Sequence, residues 1–346
     1  PVLRGEACSI MIFSAADDLP HTPQPGPAWR ESYYFNVFDR ETALAGALRV
    51  ELRPASKRLD LGIQLYLPDG GYVATRQVDE IRSAPPGGMN PVLEVGSASL
   101  EMKKPLADWR VGFDGPCRTL RSVLDAGSAE KWEKAPLERL IVELDFASTH
   151  DPISVGSGAA DPDSAAFRPP SRESGFEQPG RWQGEIWVSG DRYGIAGHGI
   201  RERIWGLSPA GAPPQLWRWF SIVFGDDFAL RATRSVAADG AQALLGWVLR
   251  DGQVGKVCEV ELTTETQVHS FVQRRMELIV RDDLRRVHEI SGEAEGVAVL
   301  PGTRNGQAVV SCEGVARFRC GDRLGLGFAE YLHRVDDSGR PQTPVR

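Results

Sequence analysis

Apolar and polar residues alternate with a period of two through most of this chain, in short runs bounded by Gly, Pro and Asp. That period puts one set of side chains on each face of a strand, so the pattern predicts half-buried antiparallel strands. They fall at 32–38, 43–52, 59–67, 97–103, 108–113 and 139–146, then at 181–189, 193–200, 215–224, 228–235, 243–249, 254–262, 271–280, 285–290, 307–315 and 324–333. Only 120–134 carries a helical pattern. So many strands at short spacing predict an all-β protein built from barrels or sandwiches.

Between Ser148 and Gly180 the composition turns to Ser, Gly, Ala, Asp and Pro, the signature of a connection between two units. A chain of 346 residues also exceeds what one ordinary core serves. The expected organisation is an N-terminal β domain over 1–165 and a C-terminal one over 166–346. Two echoes in the same order support duplication. Tyr34-Phe35-Asn36-Val37-Phe38-Asp39 is similar to Trp219-Phe220-Ser221-Ile222-Val223-Phe224-Gly225-Asp226, and Leu65-Tyr66-Leu67-Pro68-Asp69-Gly70 to Trp247-Val248-Leu249-Arg250-Asp251-Gly252.

Charge narrows the partners. The formal net charge is -7 and no long basic run is present, which argues against nucleic acid. Apolar stretches such as Leu140-Ile141-Val142 fall far short of the roughly 20 residues of a membrane-spanning helix. The first residues lack the pattern of a secretory signal, so a cytoplasmic location is expected. Five cysteines without a CxxC pair read as reduced thiols. P-loop, HExxH, GxSxG and GxGxxG signatures are missing, and the six histidines lack metal-ligand spacing, so no metal and no cofactor is expected.

Candidate chemistry is densest from Gly197 to Gly206 and from Leu216 to Asp227. A Glu202 carboxyl facing an apolar cavity would resist ionisation and remain a proton donor near neutral pH. Trp205, Trp217 and Trp219 would supply flat, electron-rich walls for an aromatic or polyene ligand. Strand alternation groups His198 with Glu202 on one face, and Arg201 and Arg203 with Trp205 on the other. A cavity-facing Glu202 therefore brings His198 with it as partner and leaves the two arginines outward or between layers, where they are candidates to touch substrate. Tyr34 and Asn36 share a face and are candidates for a cavity mouth or the junction of the halves. Glu330 is a candidate second acid, with Tyr331 beside it. Asp226-Asp227 reads as a hairpin turn. The plain structural alternative makes Arg201-Glu202-Arg203 a surface charge ladder and the tryptophans core packing.

The Gly-rich approach, Arg201-Glu202-x-x-Trp205-Gly206 and the strand Trp217-x-Trp219-Phe220-Ser221 together resemble the second domain of the carotenoid 1,2-hydratase and AttH-like family. Weaker likenesses lie at Trp29-x-x-Ser32-x-Tyr34-Phe35-x-x-x-Asp39 and Gly325-Leu326-Gly327-Phe328-Ala329-Glu330-Tyr331. The resemblance implies a tandem pair of lipocalin-like antiparallel β-barrels. Its members include hydratases and cyclases of polyenes and other hydrophobic natural products. The family acid, an Asp thought to donate the proton, corresponds to Glu202; Arg203 stands where His is usual and Ile204 where a polar residue is common. The expected function is a cofactor-independent acid-base enzyme, a hydratase, dehydratase, isomerase or cyclase of a hydrophobic small molecule. A non-catalytic carrier of such a metabolite, or a scaffold of two packed halves, is the alternative, and monomer and homodimer are both open.

Overall fold

Alternation becomes strand pairing throughout the computed structural model, which describes residues 13–24, 28–81, 92–155, 172–207 and 214–343. The strands are β1 (Trp29–Phe38), β2 (Ala45–Arg53), β3 (Arg58–Tyr66), β4 (Tyr72–Glu80), β5 (Val92–Val95), β6 (Ala98–Lys104), β7 (Asp108–Leu120), β8 (Leu137–Ser148), β9 (Ile153–Ser154), β10 (Arg172–Val188) and β11 (Asp191–Leu207). They continue as β12 (Leu216–Gly225), β13 (Phe228–Val236), β14 (Gln242–Arg250), β15 (Gln253–Thr266), β16 (Gln273–Asp282), β17 (Val287–Arg304), β18 (Gln307–Cys320) and β19 (Arg323–Arg334). The protein is all-β, as the alternation predicts. No helix among the described residues is long and apolar enough to cross a membrane.

β12 to β19 close into an antiparallel barrel. The first sheet runs β4-β3-β2-β1-β11-β10-β8-β7-β6-β5, and β4 also pairs with β7 where Tyr72 to Ala74 meet Arg118 to Leu120, so its arms join. Its interior is packed by Phe35, Leu48, Leu61, Val111, Phe146 and Trp182. The second barrel is filled by Phe220, Ile222, Leu278, Phe318 and Tyr331. A third apolar layer, with Phe38, Tyr66, Tyr72, Trp219, Leu326 and Phe328, lies where the outer face of the first sheet meets that of the second barrel.

Three expectations change. The stretch read as connection up to Gly180 is strand from Arg172 onward, while 156–171 lies outside the described residues. Its Gly and Pro serve the strand: a Cβ on Gly180 would meet Phe146 Cζ at 2.3 Å. Pro179 sits where the β8 ladder ends, its carbonyl accepting from the Thr149 N–H. As a result β10 and β11 hydrogen-bond into the first sheet, and the two sheets divide between Leu207 and Leu216 rather than at 165/166. The helical pattern at 120–134 yields a 3₁₀ turn, Val123–Asp125, and one short helix, α1 (Ala129–Lys134), N-capped by Ser128. β4 and β5 were not legible as strands because their exposed positions break the apolar alternation.

Candidate active site between the barrels

Odd and even positions of β1 and β11 part company at the sheet. One set points into the first sheet's interior, the other toward the second barrel. Tyr34 on β1 stands directly opposite Glu202 on β11, and Trp219 on β12 directly opposite Glu330 on β19. Side chains so paired have Cβ atoms roughly 5 Å apart. These two cross-strand pairs face each other across the junction, because the Tyr34 and Trp219 rings meet edge to face at 6.0 Å. Trp217 stacks on Trp219 at 6.4 Å. Tyr34, Glu202, Trp217, Glu313 and Glu330 all keep some accessible surface although protein surrounds them; this partly accessible part of the junction is the recess referred to below.

Asn36 fixes the junction. Its Oδ1 accepts from the Ile200 N–H at 2.7 Å, and its Nδ2 donates to Ser221 Oγ of the second barrel at 3.1 Å. With 1% exposure it is a tie between the halves and has no surface for a ligand.

Buried carboxyls flank the recess on both sides. Burial, reinforced by the neighbouring charge of Glu313, pushes the Glu330 carboxyl up to about 8. Ser311 Oγ donates to it at 3.1 Å. Across β10 and β11, Glu177 stands opposite Glu202. Burial pushes Glu177 up to about 8 and the nearby Glu202 charge adds to it, against the opposing charge of Arg231. Trp247 Nε1–H donates to Glu177 Oε2 at 2.6 Å. Arg231 Nε lies 3.0 Å from Glu177 and its Nη2 3.9 Å from Glu202, but Nε and Nη1 form no aligned hydrogen bond, and burial outweighs the nearby guanidinium at Glu177.

These raised carboxyls have a sign in stability. The folded state holds protons on Glu177 and Glu330 that the unfolded chain releases near 4.5, so their contribution is complete at low pH and is lost as pH rises through about 8. The buried His288 and His333 act the opposite way, but below the ordinary histidine value of 6.5. Between pH 6.5 and 8 urea denaturation is therefore expected to show stability falling as pH rises, by at most about 1.4 kcal/mol per pH unit for each carboxyl and less as pH nears 8. Glu313 is raised by burial as well and adds to the fall, and Glu330→Gln is expected to make the slope shallower.

The other sequence candidates sit elsewhere. His198 shares a face with Glu202, yet four strand positions separate them, about 13 Å at strand rise. It pairs with Asp226 at 3.1 Å, at the edge of the junction, where it lines a cleft of about 270 Å³ with Phe38, Phe224 and Leu326. Asp226 and Asp227 make the β12–β13 turn and pair with Arg181 and Arg323. Arg201 and Arg203 are neither outward nor between layers; they are 1% and 0% exposed inside the first sheet. Arg201 is held by Asp18 and Gln178 beside Trp109 and Phe176, and Arg203 by Glu31 over the Tyr33 ring. Trp205 stacks on His21 at 4.1 Å on that same side. Tyr331 points into the second barrel, bonded to Thr264 at 2.7 Å, as it must when its neighbour Glu330 faces the junction.

Glu177, Arg231, Trp247 and Glu313 escaped sequence reasoning. A signal existed for Glu177. Ser189 and Gly190 both take positive φ in a two-residue hairpin turn, and counting outward from that turn pairs Glu177 with Glu202.

The family model described as Domain of unknown function (DUF7064) matches residues 14–335. The chain belongs to that family. No curated protein matches the sequence. Among solved structures, this DUF7064 protein is similar to the AttH-like protein NE1406 of Nitrosomonas europaea, with TM-score 0.64 and 14% identity over 97% of this chain and 99% of that one. Kievitone hydratase of Nectria haematococca superposes with TM-score 0.56 and 12% identity, covering 94% of each chain. CghA does so with TM-score 0.56 and 10% identity, over 96% of this chain and 97% of its own. At these identities the likeness is one of fold, and it extends over both barrels.

Proposed function

We propose that this protein is a cofactor-independent acid-base enzyme acting on a hydrophobic small molecule, with Glu330 and Glu202 as the proton-transfer groups of the recess between the barrels. One observation carries the reading: Tyr34/Glu202 and Trp219/Glu330 face each other across the junction, with the Glu330 carboxyl raised to about 8. A carboxyl that keeps its proton near neutral pH while touching aromatic walls has the protonation state of a general acid. Glu202, 3.9 Å from Arg231 Nη2, is the second carboxyl at the junction and the candidate acceptor.

In a hydration, Glu330 would transfer its proton to an unsaturated carbon, and the faces of Trp217 and Tyr34 would stabilise the cation that forms. Glu202 would take a proton from the attacking water, so that the substrate gains one water and the two carboxyl groups exchange roles. In an isomerisation, Glu202 would instead remove a proton from carbon. That kievitone hydratase, a hydratase by name, shares the fold supports the reading without fixing the substrate. His198 has no part in the relay.

The test is a mass-spectrometric turnover screen of unsaturated apolar metabolites with wild-type protein, Glu330→Gln and Glu202→Gln in parallel. A product formed by wild type and lost in both variants supports the assignment. A compound retained unchanged by all three makes the protein a carrier and removes the catalytic role.

A further inference from the structure

Arg218 lies between Trp217 and Trp219 on β12, so its side chain takes the opposite face and enters the second barrel, away from the recess. It is 0% exposed, and no carboxylate among the described residues pairs with it. Its Nη1 donates to the Trp217 carbonyl at 3.0 Å, and its guanidinium lies 4.0 Å over the Tyr331 ring. Nε and Nη2 have no partner. Those two N–H groups form the edge of a guanidinium that grips a carboxylate bidentately. Elsewhere in this protein Arg58, Arg110 and Arg139 use that same edge to hold Asp60, Asp145 and Asp114.

The surroundings are cationic. Arg234 stands directly opposite Arg218 on β13 and donates to the neutral Gln242 Oε1 at 3.2 Å. His333, also 0% exposed, has neither ring nitrogen bonded, and burial keeps it neutral, so it adds no counter-charge. Burying a guanidinium without a counter-charge is unfavourable, and burial lowers Arg218 to about 10. A fold retains such a group where an anion completes it.

The barrel is also split at this point. β14 pairs with β15 only where Trp247 to Arg250 meet Gln253 to Lys256. Beyond that, the partly exposed Leu244, Val260, Leu262 and Thr264 border the seam, and Thr264 reaches Tyr331 beside Arg218. The seam thus brings partly exposed apolar side chains to the end of the barrel that holds the unpaired guanidinium, since Arg218, Arg234 and Leu244 are in register across β12, β13 and β14.

We propose that the interior of the second barrel is a separate binding site for an amphipathic anion, its carboxylate on the Nε and Nη2 edge of Arg218 and its apolar chain leaving through the seam between β14 and β15. Decanoate is the probe, followed by calorimetry and thermal unfolding, with decanol as the neutral control. Saturable one-to-one binding of decanoate is expected, at least tenfold tighter than decanol and weakened at least tenfold in Arg218→Met. Without decanoate, Arg218→Met is expected to unfold at the same or a higher temperature, because an uncompensated charge is gone. Should that variant not fold, Arg218→Lys, which keeps the charge without the fork, is expected to bind several-fold more weakly. No saturable binding by wild type, or equal binding by the Arg218 variant, overturns the proposal. So does binding lost in Glu330→Gln and kept in Arg218→Met, which would place decanoate between the barrels.

Discussion

Replacing Glu330 by Gln is expected to lower turnover by a factor of about 10²–10⁴, the range for loss of a positioned general acid, and to raise stability at pH 8. The two effects have one cause. Burial and Glu313 hold a proton on Glu330 that is available to a substrate, and the same surroundings make its ionised form costly as pH approaches 8. Gln keeps the shape and can still accept from Ser311, but has no proton to give and no charge to bury. A purely structural Glu330 would leave turnover intact. Glu202→Gln is expected to fall as far, and the double variant no further than the worse single one, because acid and base act on one event. Steady-state kinetics on a substrate found by the screen, with urea denaturation at pH 6.5 and 8, would check both halves.

Asp18→Ala is expected to destabilise the protein by about 3–5 kcal/mol, the cost of stranding a buried charge by removing its partner. Asp18 and Arg201 are 0% and 1% exposed, joined by two hydrogen bonds of 2.8 and 3.0 Å. Asp18 also accepts from the Leu106 N–H at 2.7 Å. Natural stabilities are only about 5–15 kcal/mol, so the variant would leave a marginal fold. Adding Arg201→Met removes the stranded cation and is expected to restore part of the loss. Chemical denaturation of the single and double variants measures the coupling, and a loss under 1 kcal/mol in Asp18→Ala would show that the pair is dispensable.

Much of the architecture was legible because antiparallel strands with one buried face write their period into the sequence. The alternation that separated His198 and Glu202 from Arg201, Arg203 and Trp205 describes how β11 is arranged. Which face turns inward was not legible. Arginines enter a core only when distant residues satisfy them, and Asp18, Glu31 and Gln178 come from three other segments of the chain. Glu177 was hidden because Gly175, Pro179 and Gly180 give its strand the composition of a linker. These breakers are tolerated there by close approach to β8 and by the end of its ladder. Glu313 and Arg231 became visible only once the barrels were docked, since neither has a local motif.

Carboxyl groups that keep their protons near neutral pH between the barrels are the source of the proposed acid chemistry. Titration of the ¹³C-labelled glutamate carboxyls by NMR, assigned with Glu177→Gln and Glu330→Gln, measures this directly. Two resonances with midpoints near 8, each lost in its own variant, are the predicted result. Titration of both groups below pH 5 would contradict it, because neither would then carry a proton to deliver.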